Sequence, residues 1–101
     1  MYQNAKEELL KHIDGRAVEL IRIVHTQKGS FRYINDAVKI EGSLESVLDS
    51  LDFEYDNGYG QQYIYGYIWY TDGTWSERQE YDGSEWWQHQ ARPEKDIIIG
   101  E

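Results

Sequence analysis

Two Asp-Gly pairs constrain the fold of this chain more than any other feature of its sequence. They stand at Asp72-Gly73 and Asp82-Gly83, and each is flanked by runs rich in aromatic and β-branched residues. Asp-Gly favours the type I′ turn of a tight β-hairpin, because both central residues of that turn need a positive φ. The pattern therefore predicts a three-stranded antiparallel meander, with strands over 62–70, 74–81 and 84–90.

Two helices are predicted, and each begins with a capping residue. Asn4 and Ser43 are suitable N-caps for apolar residues that recur at helical spacing after them. The predicted helices cover 4–13 and 43–52. The second would carry acidic residues at i, i+4 and i+7 on its polar side, namely Glu45, Asp49 and Asp52.

The remaining elements complete a single α+β domain over 1–101. A β-branched run predicts a strand at 17–26, and a further strand is expected within 31–41. Turn formers and tyrosines predict a loop at 53–60. The predicted fold is an antiparallel sheet of four to five strands, including the C-terminal meander, with two short helices packed on one face. Two placements of the isoleucines at 97–99 stay open: they form an edge strand, or they dock on the core.

A two-residue turn at each Asp-Gly pair would also fix which side chains share a face. One face then carries the isoleucines and is expected to form the core under the helices. On the other face Tyr67, Arg78 and Trp87 would form one row across three strands, with the arginine stacked between two rings. This aromatic face is either a second half-buried layer or a recognition surface, since Tyr, Trp and Arg are enriched in interface hot spots.

Composition excludes several classes of function. The chain has no cysteine, which excludes a disulfide framework, a thiolate zinc site and a cysteine nucleophile. No apolar run is long enough for a membrane span, and the N-terminus lacks the apolar stretch of a signal peptide. The formal net charge of −9 argues against direct nucleic-acid binding, because phosphate contacts need Lys and Arg.

The acidic charge is unevenly distributed. Residues 1–40 hold seven Lys or Arg and five acids, whereas 41–101 hold three and fourteen, giving net charges of +2 and −11. From Glu41 to Glu77 there are eight acids and no Lys, Arg or His. A soluble surface normally mixes both signs, so this segment predicts a specialised acidic surface.

No catalytic or metal-binding motif stands out. The segment 52–58 resembles the start of a calcium loop, but Asn57 stands where glycine is needed and Tyr63 where a bidentate carboxylate belongs. Ser76 and His89 are predicted cross-strand neighbours, yet no orienting carboxylate or glycine elbow accompanies them. The three histidines show no metal-ligand spacing. We therefore expect no enzymatic activity, no metal and no cofactor.

A recognisable sequence signature covers the second half of the chain. It consists of YDxGYG at 55–60, DGxWxxRxEYDGSEWW at 72–87 and Pro93-Glu94. With these motifs the chain resembles small proteins encoded by bacteriophages and prophages. The resemblance implies that the protein is encoded by a mobile element and is located in the cytoplasm of a bacterial host. It implies no particular biochemical activity. Small acidic phage proteins include inhibitors of host defence, such as anti-CRISPR proteins and DNA-mimicking nuclease inhibitors, which occupy Lys/Arg-lined surfaces.

Charge, aromatic content and the resemblance together predict a non-enzymatic, phage-encoded inhibitor of a bacterial defence system. It would bind a basic, nucleic-acid-handling surface of a nuclease or surveillance complex. Neither nucleic acid nor membrane is an expected partner, and the oligomeric state is left open. Two alternatives remain: a phage accessory interaction module without inhibitory role, and a small-ligand or sugar-binding module that uses the aromatic face. The predicted partner-binding residues are Glu41, Glu45, Asp49, Asp52, Glu54, Tyr55, Asp56, Tyr59, Tyr67, Trp69, Arg78 and Trp87.

Overall fold

The computed structural model describes residues 2–26, 37–58 and 61–93. The strands are β1 Tyr2–Asn4, β2 Val18–Thr26, β3 Ala37–Gly42, β4 Glu54–Asp56, β5 Ile64–Tyr70, β6 Trp75–Tyr81 and β7 Ser84–Gln90. The helices are α1 Ala5–Ile13 and α2 Leu44–Val47, and a 3₁₀ turn follows at Asp49–Leu51. Within the described ranges, no helix has the length and apolar character needed to cross a bilayer.

The predicted α+β class is confirmed. Five strands form one antiparallel sheet in the order β3-β2-β5-β6-β7, and its last three strands are the predicted meander. A second, two-stranded sheet pairs β1 with β4. The interpretation of 53–60 as a loop throughout was therefore wrong, because β4 lies within it. The strand expected within 31–41 is found as β3, whereas the part of that range before residue 37 and the isoleucines at 97–99 lie outside the described residues.

The two helices begin at their predicted caps but differ in length. The Asn4 side chain accepts a hydrogen bond from the Glu7 backbone N–H at 2.9 Å, and Ser43 accepts one from Ser46 N–H at 3.3 Å. α1 ends near its predicted boundary. The prediction of one helix over 43–52 was wrong, since α2 stops at Val47 and a tighter 3₁₀ turn follows. Glu45 and Asp49 therefore do not belong to one α-helix.

The hydrophobic core lies between the large sheet and the helices, on the side that we call the inner face. The isoleucines of β5 are buried there, as predicted, and so are those of β2, with apolar side chains from α1, α2 and the 3₁₀ turn packed over them. Burial of these side chains provides the main stabilising free energy of the fold. The principal members are Leu9, Ile13, Ile21, Ile23, Val47, Leu51, Ile64 and Ile68.

The first hairpin differs from its prediction by one residue. Trp69 pairs with Trp75, and Tyr70 N–H donates to the carbonyl of Thr74 at 3.0 Å, so three residues rather than two form the loop. Gly73 takes the positive φ of 89° that closes such a loop. The second hairpin is as predicted, with Tyr81 opposite Ser84 across a two-residue turn.

That single residue turns β6 and β7 over relative to β5, because side chains alternate between faces along a strand. Tyr67 now lies opposite Glu77, whereas Arg78 and Trp87 pair with each other on the inner face. The predicted row of Tyr67, Arg78 and Trp87 on one face was therefore wrong.

Two histidines with limited solvent exposure predict a loss of stability in mild acid. Burial lowers the pKa of both His12 and His25 below the ordinary value, and the nearby Arg16 adds to the effect at His12. The unfolded chain then binds protons more readily than the folded one. The contribution of these histidines to the free energy of unfolding should thus be largest above about pH 6.5. It should decline as the pH falls below that value, by at most about 1.4 kcal/mol per pH unit for each histidine.

Urea denaturation between about pH 5.5 and 7.5 measures this slope. His25 stacks on Phe53 with ring centroids 4.3 Å apart. The variant His25→Phe keeps a ring in this position but removes the titrating group. We expect a shallower slope for this variant than for the unmodified protein. An unchanged slope would contradict the assignment to His25.

Candidate interaction surface

The face of the large sheet opposite the helices, here called the outer aromatic face, is rich in exposed rings. No described helix packs on it. Tyr67, Tyr81 and Trp86 remain 45%, 72% and 39% exposed. Soluble monomers rarely leave large apolar patches uncovered without a binding role. The aromatic members of the face are Tyr65, Tyr67, Trp69, Trp75, Tyr81 and Trp86.

Strand register arranges these side chains in rows. Leu20, Trp69 and Trp75 lie side by side across β2, β5 and β6. The next row is Arg22, Tyr67 and Glu77, which lie on the same three strands. Directly opposite residues of antiparallel strands have Cβ atoms close enough for their side chains to interact. The two rows therefore form a continuous surface.

An arginine of the protein itself already occupies one edge of this face. The Arg22 guanidinium carbon lies 5.6 Å from the ring centroid of Trp69, within the range of a cation–π contact. Tyr67 stacks on Trp69 with ring centroids 5.5 Å apart. Arg22 is also paired with Glu41 at 2.7 Å. This edge is thus electrically balanced.

Glu77, near the middle of the face, is not balanced in that way. Its carboxylate accepts hydrogen bonds from Trp75 Nε1 at 3.0 Å and Gln79 Nε2 at 3.2 Å. Within the described residues it has no cationic partner. Lys39 also points to this face but lies on β3, with β2 and β5 in between. Glu77 is therefore an oriented negative charge among aromatic rings.

Most of the predicted acidic residues lie on the other side of the sheet. Glu45, Asp49, Asp52 and Glu54 are exposed on α2 and the segment that follows it, which pack toward the inner face. Asp52 accepts from Asn4 Nδ2 at 3.0 Å and lies 3.7 Å from the Lys6 ammonium; both neighbours lower its pKa, the hydrogen bond most. Asp56 lies in β4, opposite Tyr2. Of the predicted residues that the structure describes, only Glu41, Tyr67 and Trp69 share the outer face.

Arg78 is buried, contrary to its predicted place on a binding face. Its guanidinium donates to Glu8 Oε2 at 2.9 Å, to Glu85 Oε1 at 3.0 Å and to the Tyr55 hydroxyl at 2.7 Å. The side chains of Arg78 and Glu85 are fully buried and that of Glu8 is 11% exposed. The guanidinium carbon lies 5.1 Å from the Trp87 ring centroid and 5.6 Å from that of Tyr55. Tyr55 thus takes the stacking position predicted for Tyr67.

The neighbours of Arg78 in this buried cluster stabilise its positive charge, while Tyr55 is held in its neutral form. Burial opposes the charged guanidinium, but Glu8, Tyr55 and Glu85 outweigh it and raise the pKa of Arg78. Burial, together with Glu8, raises the pKa of Tyr55 despite the opposing charge of Arg78. Glu85 also accepts the backbone N–H groups of Tyr63 and Ile64, at 2.6 and 3.0 Å. Tyr55, Arg78 and Trp87 are therefore held inside the protein, while Tyr59 lies outside the described residues.

Ser76 and His89 are cross-strand neighbours as predicted, but their side chains are not hydrogen-bonded to each other. The fully buried Ser76 hydroxyl lies 2.7 Å from His12 Nε2 and 2.7 Å from the Tyr70 hydroxyl. His89 Nε2 lies 3.0 Å from Thr74 Oγ1. A hydroxyl without solvent access is positioned as part of a buried hydrogen-bond network. In the part of the chain that is described, no three His, Asp or Glu residues are grouped to hold a metal ion.

Sequence reasoning missed Trp75, Glu77 and Trp86 as members of the outer face. The alternation of side chains along β6 and β7 correctly indicated which residues share a face, but that face was assigned to the wrong side of the sheet. The distinction depends on whether Asp72-Gly73 closes a two-residue or a three-residue loop, and both are compatible with glycine at that position.

Comparison with known proteins yields no relative. No protein-family model matches the chain, and neither a curated protein nor a solved structure matches it significantly.

Proposed function

We propose that this protein is a non-enzymatic binding module that docks a basic surface of another protein on its outer aromatic face. The observation that carries the proposal is Glu77, a carboxylate without a cationic partner in the described chain, set among uncovered rings. A lysine or arginine of a partner would supply the missing charge. Trp, Tyr and Arg are the residue types that most often dominate binding energy at protein interfaces.

The proposed contact has a precedent within the molecule. Arg22 lies over Trp69 at 5.6 Å while paired with Glu41. A partner's guanidinium placed between Tyr67 and Trp75 would repeat this combination of ring contact and ion pair, with Glu77 in the role of Glu41. Such a cation–π contact is worth about 0.5–2 kcal/mol, depending on how far the cation is desolvated. Hydrogen bonds from Trp75 and Gln79 already orient the carboxylate, which reduces the ordering cost of binding.

The acids on the helix side have a different role in this proposal. Glu45, Asp49 and Glu54 do not lie on the docking face and would make no direct contact there. They contribute to the net charge of −9, which attracts a basic partner over distance. Rim and remote charges mainly change the association rate, whereas buried rings mainly determine the dissociation rate.

The partner class follows from the same chemistry and from the phage resemblance. A Lys/Arg-rich surface with wide access is characteristic of proteins that handle nucleic acid. We propose that the partner is such a surface on a bacterial nuclease or surveillance complex, and that binding inhibits it by excluding nucleic acid.

Affinity capture from bacterial lysates tests this proposal. The double variant Glu77→Gln/Trp86→Ala alters the outer face. The control Glu45→Gln/Leu10→Ala makes the same charge change on the helix side. It also truncates an equally exposed side chain, since Leu10 and Trp86 are both 39% exposed. We expect capture of a nucleic-acid-handling protein that the first variant weakens by about 30-fold or more, because truncating a hot-spot residue costs about 2 kcal/mol or more. The helix-side variant should change capture only a few-fold and mainly at low salt.

The expected partner should also be displaced by added nucleic acid. Capture that both variants reduce equally would contradict docking on the outer face. Capture of a neutral protein whose binding is unaffected by salt and nucleic acid would contradict a basic partner surface.

A second candidate is a carbohydrate ligand on the same face. It is favoured by three amide side chains beside the rings, Gln79, Gln88 and Gln90, which are able to hydrogen-bond sugar hydroxyls. Titration with neutral oligosaccharides distinguishes the two candidates. Sugar binding should depend on Trp86 and be insensitive to Glu77→Gln and to salt.

A further inference from the structure

A separate cavity lies on the inner side of the fold, away from the outer aromatic face. It has a volume of about 640 Å³ and is bounded by the end of β2, the small β1–β4 sheet and the segment after α2. This volume is within the range of small-molecule sites, which is about 300–1,000 Å³. The residues that matter for its chemistry are Tyr2, His25, Phe53, Glu54, Tyr55 and Tyr63.

His25 is the unusual member of this lining. Its side chain is only 8% exposed, and it stacks on Phe53 with ring centroids 4.3 Å apart. Neither of its ring nitrogens has a hydrogen-bond partner among the described residues. Because burial lowers its pKa, the imidazole is neutral near pH 7 and has one donor and one acceptor nitrogen to offer. Among the described residues no fully buried side-chain nitrogen or oxygen lacks a hydrogen-bond partner, so the unpaired ring nitrogens of His25 keep some solvent contact, where a ligand can reach them.

The walls of the cavity are aromatic and its described charges are negative. Tyr55 and Tyr63 lie with ring centroids 6.1 Å apart, and Phe53 stands behind His25. Glu54 is exposed in β4 and has no basic partner in the described ranges. Aromatic walls beside a carboxylate are the combination that recognises organic cations.

We propose that this cavity binds a small organic cation, a primary amine carried on an apolar body about the size of one ring. The rings of Phe53, Tyr55 and Tyr63 would contact the apolar body. Glu54 would neutralise the ammonium group, and the free acceptor nitrogen of His25 would take one of its N–H bonds. This site goes beyond the protein-docking function, since it uses other residues on the opposite side of the sheet.

Titration with phenethylamine tests the proposal, with 2-phenylethanol and 3-phenylpropionate as neutral and anionic analogues of similar size. Chemical shifts in a ¹H–¹⁵N correlation spectrum report both affinity and place. We expect saturable binding of the amine at millimolar concentration or below, with the largest shifts around His25, Phe53 and Glu54. The alcohol should bind about tenfold more weakly, and the carboxylate more weakly again.

Matched variants distinguish a site from general attraction to an acidic protein. Glu54→Gln and His25→Phe should each weaken amine binding about tenfold, because each removes a partner of a charged donor. Glu45→Gln makes the same charge change outside the cavity and should leave affinity within twofold. Equal binding of amine and alcohol, equal losses in Glu54→Gln and Glu45→Gln, or no saturation by a protein with a folded spectrum would each overturn the proposal. Glu77→Gln should not change amine binding, so the outcome is independent of the docking face.

Discussion

Replacing Arg78 by methionine is expected to lower the free energy of unfolding by about 3–5 kcal/mol. Methionine fills much of the same volume, but it leaves the carboxylates of Glu8 and Glu85 without the guanidinium that lies between them. It also removes the donor to the Tyr55 hydroxyl. Because small domains are stable by only about 5–15 kcal/mol, this one substitution should remove a large share of the total.

Arg22→Met is the matched control for this experiment. Arg22 also pairs with a glutamate and lies over a tryptophan ring, but its side chain is 56% exposed, compared with 0% for Arg78. Exposed ion pairs contribute about 0–1 kcal/mol, so the control should lose no more than that. Urea denaturation followed by tryptophan fluorescence measures both variants. Losses of similar size would contradict the structural role assigned to Arg78.

A triple variant separates the unpaired charge from the lost packing. Adding Glu8→Gln and Glu85→Gln to Arg78→Met removes the buried negative charges while keeping one acceptor oxygen for the N–H groups of Tyr63 or Ile64. Replacing a whole buried ionic group is usually much less costly than removing one partner. The triple variant should therefore regain part of the stability lost in Arg78→Met.

Replacing Gly66 by alanine is the second large effect, with an expected loss of about 3 kcal/mol or more. Gly66 lies in β5 with φ of 148°, opposite Ile23 of β2. An added Cβ would lie 2.9 Å from the Ile23 Cα atom and closer still to the carbonyl oxygen of Arg22. Backbone atoms in the middle of a sheet cannot move aside as a flexible side chain can, so β2 and β5 would have to separate.

Gly15→Ala controls for the loss of glycine flexibility. Gly15 also has a positive φ, 84°, but a Cβ there would have no atom within 4 Å. It should show only the backbone strain of the positive φ, about 1 kcal/mol. If the two alanine variants lost equal stability, the close approach of β2 at Gly66 would not be the cause.

Local sequence signals determined a large part of this fold. Asp82-Gly83 formed the predicted two-residue turn, with positive φ of 51° and 89°, because the requirement lies within the dipeptide itself. Asn4 capped α1 for a similar reason, since its partner is the Glu7 N–H three residues away. The isoleucines of β5 were correctly assigned to the core, because alternation along a strand is a local property.

The composition of the two faces of the meander was decided by tertiary contacts. At Asp72-Gly73 the dipeptide accepts either loop length, and the three-residue loop allows Arg78 to reach Glu8 and Ser76 to reach His12, both on α1. These partners are separated by 70 and 64 residues, so no short-range pattern shows that they meet. The pairing of β1 with β4 also joins distant parts of the chain, so no short-range pattern predicts it either.

The burial of Arg78 also determined which residues form the candidate binding surface. A sequence rule places charged residues outside. It fails here because Glu8 and Tyr55, from distant parts of the chain, join Glu85 of the neighbouring strand in satisfying the guanidinium. With Arg78 turned inward, Trp75, Glu77 and Trp86 turn outward, because neighbouring residues of a strand face opposite sides. The sequence alone determined that the meander has one aromatic face, whereas only tertiary packing determined which side chains form it.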